Sequence, residues 1–273
     1  MSSMNTSSLT QEMLVKMFAV GKRFDGRKLL EHRDFTVEYN VSNKAEGSAR
    51  VRMGKTEVVV GIKLEVGTPY PDSLDKGNIM VSGDLLPLAS PRFESGPPKF
   101  NAIELPRLVD RMVRESHMID LHKLVITEGE KVWTVIIDIY PINDDGNLID
   151  VAGIGAVAAL MQTRIPELGE NGRIDYDKKA TKKLPLVDGI LPLPFTFFKL
   201  GDSLIIDPTR EEEEACEGKI VFGISHYKGK DHMLHSCQKG LEVPLNREDL
   251  EQMMSHLPKL YDDTLKKLQK FLK

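Results

Sequence analysis

Residues 133–159 read WTVIIDIYPINDDGNLIDVAGIGAVAA, and this stretch restricts the fold more than any other part of the chain. Its first part is dominated by Val and Ile, as in a buried strand, and an Asp-Asp-Gly-Asn turn follows. The rest has helical character and is rich in small residues, with Gly153, Gly155, Ala156, Ala158 and Ala159 close together. Small side chains let a helix lie close against a sheet. A strand that turns directly into such a helix predicts an α+β protein with its core between the two.

The same two periodicities recur elsewhere. Ser8, Leu9, Thr10 and Gln11 fit a helix start, Leu9, Met13, Leu14, Met17 and Phe18 give an apolar face, and Gly21 fits the end. Phe35, Val37, Tyr39 and Val41 alternate with polar residues, the pattern of a half-buried strand. Ala49, Val51 and Met53 continue it to a Gly54-Lys55 turn, and residues 57–66 return as a strand. From Asn101 the period becomes helical, with Ile103, Leu105, Leu108, Val109, Met112 and Val113 on one side. Residues 124–126 and 132–140 read as strands, 151–161 as helix, and 166–183 as an exposed connection.

The second half echoes the first. Leu200-Gly201-Asp202-Ser203 before Leu204-Ile205-Ile206 matches Met53-Gly54-Lys55-Thr56 before Val58-Val59-Val60. Each is a hairpin with Gly at its turn, and each is followed downstream by an amphipathic helix. The later helix starts at Asn246, with Leu250, Met253, Met254, Leu257, Tyr261, Leu265 and Leu268 as its apolar face and Pro258 as a point to kink or split. The expected architecture is two duplicated βα halves. Its boundaries are 1–30 for an N-terminal helix and extension, 31–165 for the first domain, 166–188 for a connection, and 189–273 for the second domain with the C-terminal helix.

Four motifs invite a chemistry that their context does not support. Met53-Gly54-Lys55-Thr56 resembles the end of a phosphate-binding loop, but Ala49 stands where its first Gly belongs and a strand follows instead of a helix. Gly153, Gly155 and Ala158 fit a loose dinucleotide pattern, yet they lie inside the helix and read as packing positions. His226, His232, His235 and Cys237 fit no common zinc spacing, and strand alternation from Met233 places only His235 and Cys237 on one face, so no metal site is expected. Residues 211–214, four glutamates near Asp207, could hold a cation. A solvated turn or helix start, where negative charge suits the dipole, is the simpler reading.

The chain has 273 residues and a net charge of −4, so nothing draws it generally to nucleic acid and any contact must be local. Arg107, Arg111 and Arg114 supply such a place, because their spacing puts three guanidinium groups on one helix face. Arg92 and Lys99 lie in the loop SPRFESGPPKF just before it. On spacing alone a salt-bridged solvent face is the simpler reading, since Glu104, Asp110 and Glu115 are interspersed. Two cysteines, Cys216 and Cys237, make no disulfide framework, and no apolar run is long enough to span a membrane. With no secretory signal in MSSMNTSSLTQEM, a cytoplasmic protein is expected.

Several segments resemble the RNase PH-like phosphorolytic exoribonucleases. Arg23-Phe24-Asp25-Gly26-Arg27 is similar to the family's Arg-x-Asp-Gly-Arg signature, and residues 47–56, GSARVRMGKT, are similar to its Gly-Ser-Ala hairpin. Residues 78–88, 94–98, 101–104 and the arginine helix extend the likeness over most of the chain. The resemblance implies an RNase PH-like fold, with a ribosomal protein S5 domain 2-like first half. Within the family, the chain is most similar to the non-catalytic ring subunits of archaeal exosomes.

That resemblance implies a hexameric ring in which this chain alternates with a catalytic RNase PH-like subunit, beneath RNA-binding cap proteins. The complex would degrade single-stranded RNA from its 3′ end, with inorganic phosphate, and magnesium as a candidate, at the partner's site and no cofactor here. In this subunit type the first two arginines of the helix contact entering RNA. Those are Arg107 and Arg111, with Arg114 a weaker candidate.

Two departures imply lost catalysis. Where the family carries a Gly-Thr-Arg-Thr phosphate grip, this chain has Asn147, Leu148, Ile149 and Asp150. Lys219 stands where an apolar strand should open with a catalytic Asp, and an ammonium cannot ligate a metal or accept a proton as a carboxylate does. A self-sufficient phosphorolytic exoribonuclease with divergent site residues is the enzyme alternative. A small-molecule enzyme using the glycines near Gly153 is a third.

Overall fold

Residues 133–159 are indeed strand, turn and helix in a computed structural model that describes residues 6–169, 173–176, 178, 180–227 and 231–271. In chain order the elements begin with α1 (Ser8–Ala19), β1 (Phe35–Tyr39), β2 (Gly47–Met53), β3 (Thr56–Gly67), β4 (Asn78–Gly83) and α2 (Phe100–Glu115). A 3-10 turn (Leu121–Leu124) then leads to β5 (Val125–Thr127), β6 (Lys131–Asn143) and α3 (Leu148–Gln162). The connection carries four two-residue strands, β7 (Arg164–Ile165), β8 (Glu167–Leu168), β9 (Ile174–Asp175) and β10 (Lys182–Lys183). The second half is β11 (Leu193–Leu200), β12 (Ser203–Ile206), α4 (Arg210–Ala215), β13 (Gly218–Tyr227), β14 (Asp231–Gly240) and α5 (Arg247–Gln269).

The first sheet runs β1-β2-β3-β6-β4, with β5 beside β6, and only the β4–β6 pair is parallel. The second runs β12-β11-β13-β14, all antiparallel. In β3, Val58, Val60, Ile62 and Leu64 are buried while the residues between them are half-buried, so the period-two pattern marks its core face. Each such side chain contributes about 1.5–3 kcal/mol by leaving water.

The helix α3 packs against β2 and β3 of the first sheet and β11 of the second, and everything from Leu148 to Leu160 is buried. Its glycines are spacing devices. A Cβ on Gly153 would lie 2.5 Å from Pro194 Cγ, and one on Gly155 would lie 2.8 Å from Val60 Cγ2. The dinucleotide-like pattern is therefore used up in packing.

Some sequence expectations shift. Ser7, one residue earlier than expected, caps α1 by accepting from the Thr10 N–H at 3.2 Å. Leu9 and Met13 are exposed, because the helix covers only a small patch in which Leu14 and Phe18 meet Phe198, Leu200 and Ile205. Ile103, Leu250 and Met254 likewise sit at exposed margins of their helices. Val41 falls just outside β1, and Leu124 belongs to the 3-10 turn. Pro258 does not split α5, which runs unbroken. The connection at 166–183 is less plain than expected, since β7 pairs β10 and β8 pairs β9, although residues 170–172, 177 and 179 lie outside the described residues.

Candidate functional site

The turn at 144–147 leads into α3 with Asn147 in the left-handed region, φ 60°, and its side chain does not cap the helix. Such a helix start presents free N–H groups, the ordinary seat for an anion. Here the anion is the chain's own. The Asn147 N–H donates to Glu213 Oε2 at 2.7 Å. Burial pushes the Glu213 carboxyl up, against the opposing pull of the Arg92 guanidinium and the Asn147 N–H.

Leu148 and Ile149 are buried, and Asp150 turns inward to accept from Thr196 Oγ1 at 2.7 Å and from the Thr196 N–H at 3.3 Å. Gly146 is required by contact with the second half, since a Cβ there would lie 2.4 Å from the Pro208 carbonyl oxygen.

Lys219, near the start of β13, donates to Glu104 Oε2 of α2 at 2.6 Å. With Arg92, Glu213 and Leu148 these two residues line a small cleft of about 60 Å³. Two cations and two carboxylates occupy it. Arg92 is further engaged, donating from Nε to Asp144 Oδ2 at 2.8 Å and reaching Glu214 at 3.4 Å. Among the described residues, the charged groups of this cleft are thus committed to one another or to neighbouring groups.

The four glutamates form the helix start expected of them, but not as a solvated run. They open α4, and Glu211 is exposed, but Glu212 is fully buried against Arg23 and accepts from the Thr209 N–H at 2.9 Å. Glu213 and Glu214 are taken by Asn147 and Arg92. Distant partners, invisible in a local reading, draw these carboxylates inward.

The Arg-x-Asp-Gly-Arg segment is structural here. Arg23 donates to the Ile206 and Asp207 carbonyls at 3.0 and 2.9 Å. The Asp207 side chain, fully buried at φ 45°, accepts from Arg27 at 2.9 Å, Asn147 at 2.9 Å and Arg33 at 2.7 Å. Burial works to raise this carboxyl, but the hydrogen bonds and charge of Arg33 hold it at about 2. Asp207 joins the N-terminal extension to the turn before α3.

The arginine helix separates its three candidates. Leu105, Leu108, Val109, Met112 and Val113 face the core, and Arg107 and Arg111 are exposed on the other side. Among the described residues neither of these two has an ion-pair or hydrogen-bond partner, so both are available to a ligand. Arg114 is half-buried, paired with Asp110 at 2.6 Å and donating to the Ile79 carbonyl at 3.0 Å. Lys99 is paired with Glu94 in the preceding loop.

Sequence reading missed one grouping. His226 and His232 face each other across β13 and β14, and both meet Asp262 of α5. His235 is instead the extra residue of a β-bulge opposite Gly223 and Ile224, half-buried and bonded to Ser225 Oγ at 2.7 Å, while Cys237 is exposed. That bulge breaks the alternation on which the expected pairing of His235 with Cys237 rested.

Comparison with known proteins agrees with this fold. The model of the 3′ exoribonuclease family, domain 1, matches residues 31–166, and that of domain 2 matches residues 191–255. Exosome complex component Rrp42 of Methanothermobacter thermautotrophicus is 41% identical over 248 residues, covering 90% of this chain and 89% of that protein. The Rrp42 of Archaeoglobus fulgidus is 50% identical over 195 residues, 70% of this chain and 71% of that one. A chain of the Archaeoglobus fulgidus exosome, solved with RNA bound to the active site, superposes with a TM-score of 0.84 at 38% identity, over 97% of this chain and 98% of that chain. With matching domains in the same order over most of its length, the chain belongs to the RNase PH family of 3′ exoribonucleases.

Proposed function

We propose that this chain is the non-catalytic, RNA-binding ring subunit of an archaeal-type exosome, a phosphate-dependent 3′-to-5′ exoribonuclease. The observation that carries the reading is the occupied anion seat: Glu213 on the α3 N-terminus, with Lys219 locked to Glu104 beside it. A phosphate arriving there meets carboxylates and no free cation.

Its contribution is to complete and position. Alternating with a catalytic RNase PH-like partner in a hexamer, it supports the partner's active site, where phosphate and a candidate magnesium ion act. Arg107 and Arg111, exposed on the rigid face of α2, hold backbone phosphates of single-stranded RNA without reading its bases. Cap proteins that bind RNA belong to the same assembly. No helix among the described residues is long and apolar enough to cross a membrane, and both cysteines are free thiols, which suits the cytoplasm in which we place the complex.

The test compares RNA degradation by this chain, by the catalytic partner and by the two together, each with and without inorganic phosphate. Activity that requires both chains and phosphate, above that of the partner alone, is expected. Phosphorolysis by this chain alone would overturn the proposal in favour of a self-sufficient exoribonuclease.

A further inference from the structure

Far along the chain from the degenerate phosphate turn, two imidazoles and a carboxylate converge from three elements. Asp262 Oδ1 lies 2.8 Å from His226 Nε2 and 3.1 Å from His232 Nε2. The three candidate ligand atoms all lie within 4.8 Å of one another. A tetrahedral zinc ion with bonds of about 2.0–2.1 Å separates its ligand atoms by roughly 3.4 Å, so on binding the two short spacings would open by about 0.3–0.6 Å and the widest, up to 4.8 Å, would close.

The imidazoles are held from behind. The Tyr261 ring meets His226 and His232 edge-on, with centroids 4.8 and 5.7 Å away, and its hydroxyl is fixed by donation to the Leu191 carbonyl at 3.0 Å. In front, the three side chains keep 24%, 21% and 40% of their exposure for His226, His232 and Asp262, which leaves an entry path and room for water. Three protein ligands with water in the fourth position is one of the coordination shells zinc adopts in proteins. Two nitrogen donors and a single carboxylate select zinc, nickel or cobalt over magnesium and calcium, which prefer oxygen.

We propose that His226, His232 and Asp262 form a zinc-class site that pins α5 to the β13–β14 hairpin. The two neutral imidazoles each offer Nε2, Asp262 offers Oδ1, and water completes the shell. The ion replaces the hydrogen bonds that now join the three side chains and ties the C-terminal helix to its sheet.

The experiment strips the purified full-length chain with a chelator and titrates it with zinc by calorimetry, following the thermal midpoint in parallel. One ion per chain and a rise in midpoint are expected, with no response to magnesium. Asp262→Asn and His232→Gln should each weaken binding at least about tenfold, while His235→Gln, three residues from His232, should leave it unchanged. Cobalt in place of zinc should give the visible bands of a tetrahedral nitrogen–oxygen site. No uptake by the unaltered chain would overturn the proposal. So would equal affinity in folded Asp262→Asn, or a thiolate-to-cobalt band placing the ion on a cysteine.

Discussion

The Lys219 ammonium and the Glu104 carboxylate lie 2.6 Å apart across a small cleft beside the start of α3, both side chains largely buried. On the proposed reading the lysine stands where a catalytic carboxylate would be, and it binds the nearest one. Restoring the missing residue alone should therefore not restore function.

Lys219→Asp is expected to show no phosphorolysis in the isolated chain, because Glu213 still occupies the α3 N-terminus and no cation is free for phosphate. The change should also set a second carboxylate beside Glu104, costing about 3–5 kcal/mol, the usual penalty for breaking a buried pair. Urea denaturation combined with an RNA phosphorolysis assay reads both outcomes. Activity gained by this single change would show that the turn still binds phosphate.

Replacing Arg107 and Arg111 together by Ala should weaken RNA binding by the assembled ring and leave the ring intact. Each lost contact with a single strand lowers the salt slope by about 0.7, so the double variant should lose roughly 1.4. Chain stability should stay within about 0.5 kcal/mol, since neither side chain has a partner among the described residues. Filter binding across a salt series checks the slope. An unchanged slope would remove these arginines from the RNA path.

Arg114→Ala should behave differently. Its bonds to Asp110 and the Ile79 carbonyl tie α2 to β4, so the loss should appear in stability, by about 1 kcal/mol. Thermal unfolding of this variant beside the Arg107 and Arg111 double variant separates docking from binding.

Asp207 should impose an acid limit on the fold. Its carboxyl is held at about 2 against an ordinary 3.8, so ionised Asp207 stabilises the native state by about 2 kcal/mol above pH 4. The contribution fades as pH falls from about 4 towards 2, where the folded state too becomes protonated. Asp207→Asn should cost about 3–5 kcal/mol at pH 7 by stranding Arg33 and Arg27. Its deficit relative to the unaltered chain should narrow in urea titrations at pH 3.

Gly153→Ala should reverse the usual sign for a helix interior. Exchange of Gly for Ala there normally gains about 1 kcal/mol, but this Cβ meets Pro194 at 2.5 Å and should cost about 1–3 kcal/mol by overpacking. A raised denaturation midpoint would mean that α3 and β11 are not in close contact.

Much of this molecule is readable from local pattern. Alternation in 57–66 and helical spacing in 101–113 name the elements and most of their buried faces, because burial on one side of a regular element leaves a period. The residues at 147–150 and the lysine at position 219, on which the proposed loss of catalysis rests, are matters of residue type, and a resemblance suffices to expose them.

Partnership is different. Nothing near 211–214 says that Glu212 must meet Arg23 or that Glu213 must meet Asn147, since those contacts join segments far apart in the chain. The same holds for Arg107, Arg111 and Arg114, identical in sequence character, of which only Arg114 finds partners among the described residues. His226, His232 and Asp262 came together only when α5 was laid across the hairpin. Local periodicity follows from the repeat of one element's backbone, whereas charge pairing and ligand clusters depend on which elements chain folding brings into contact.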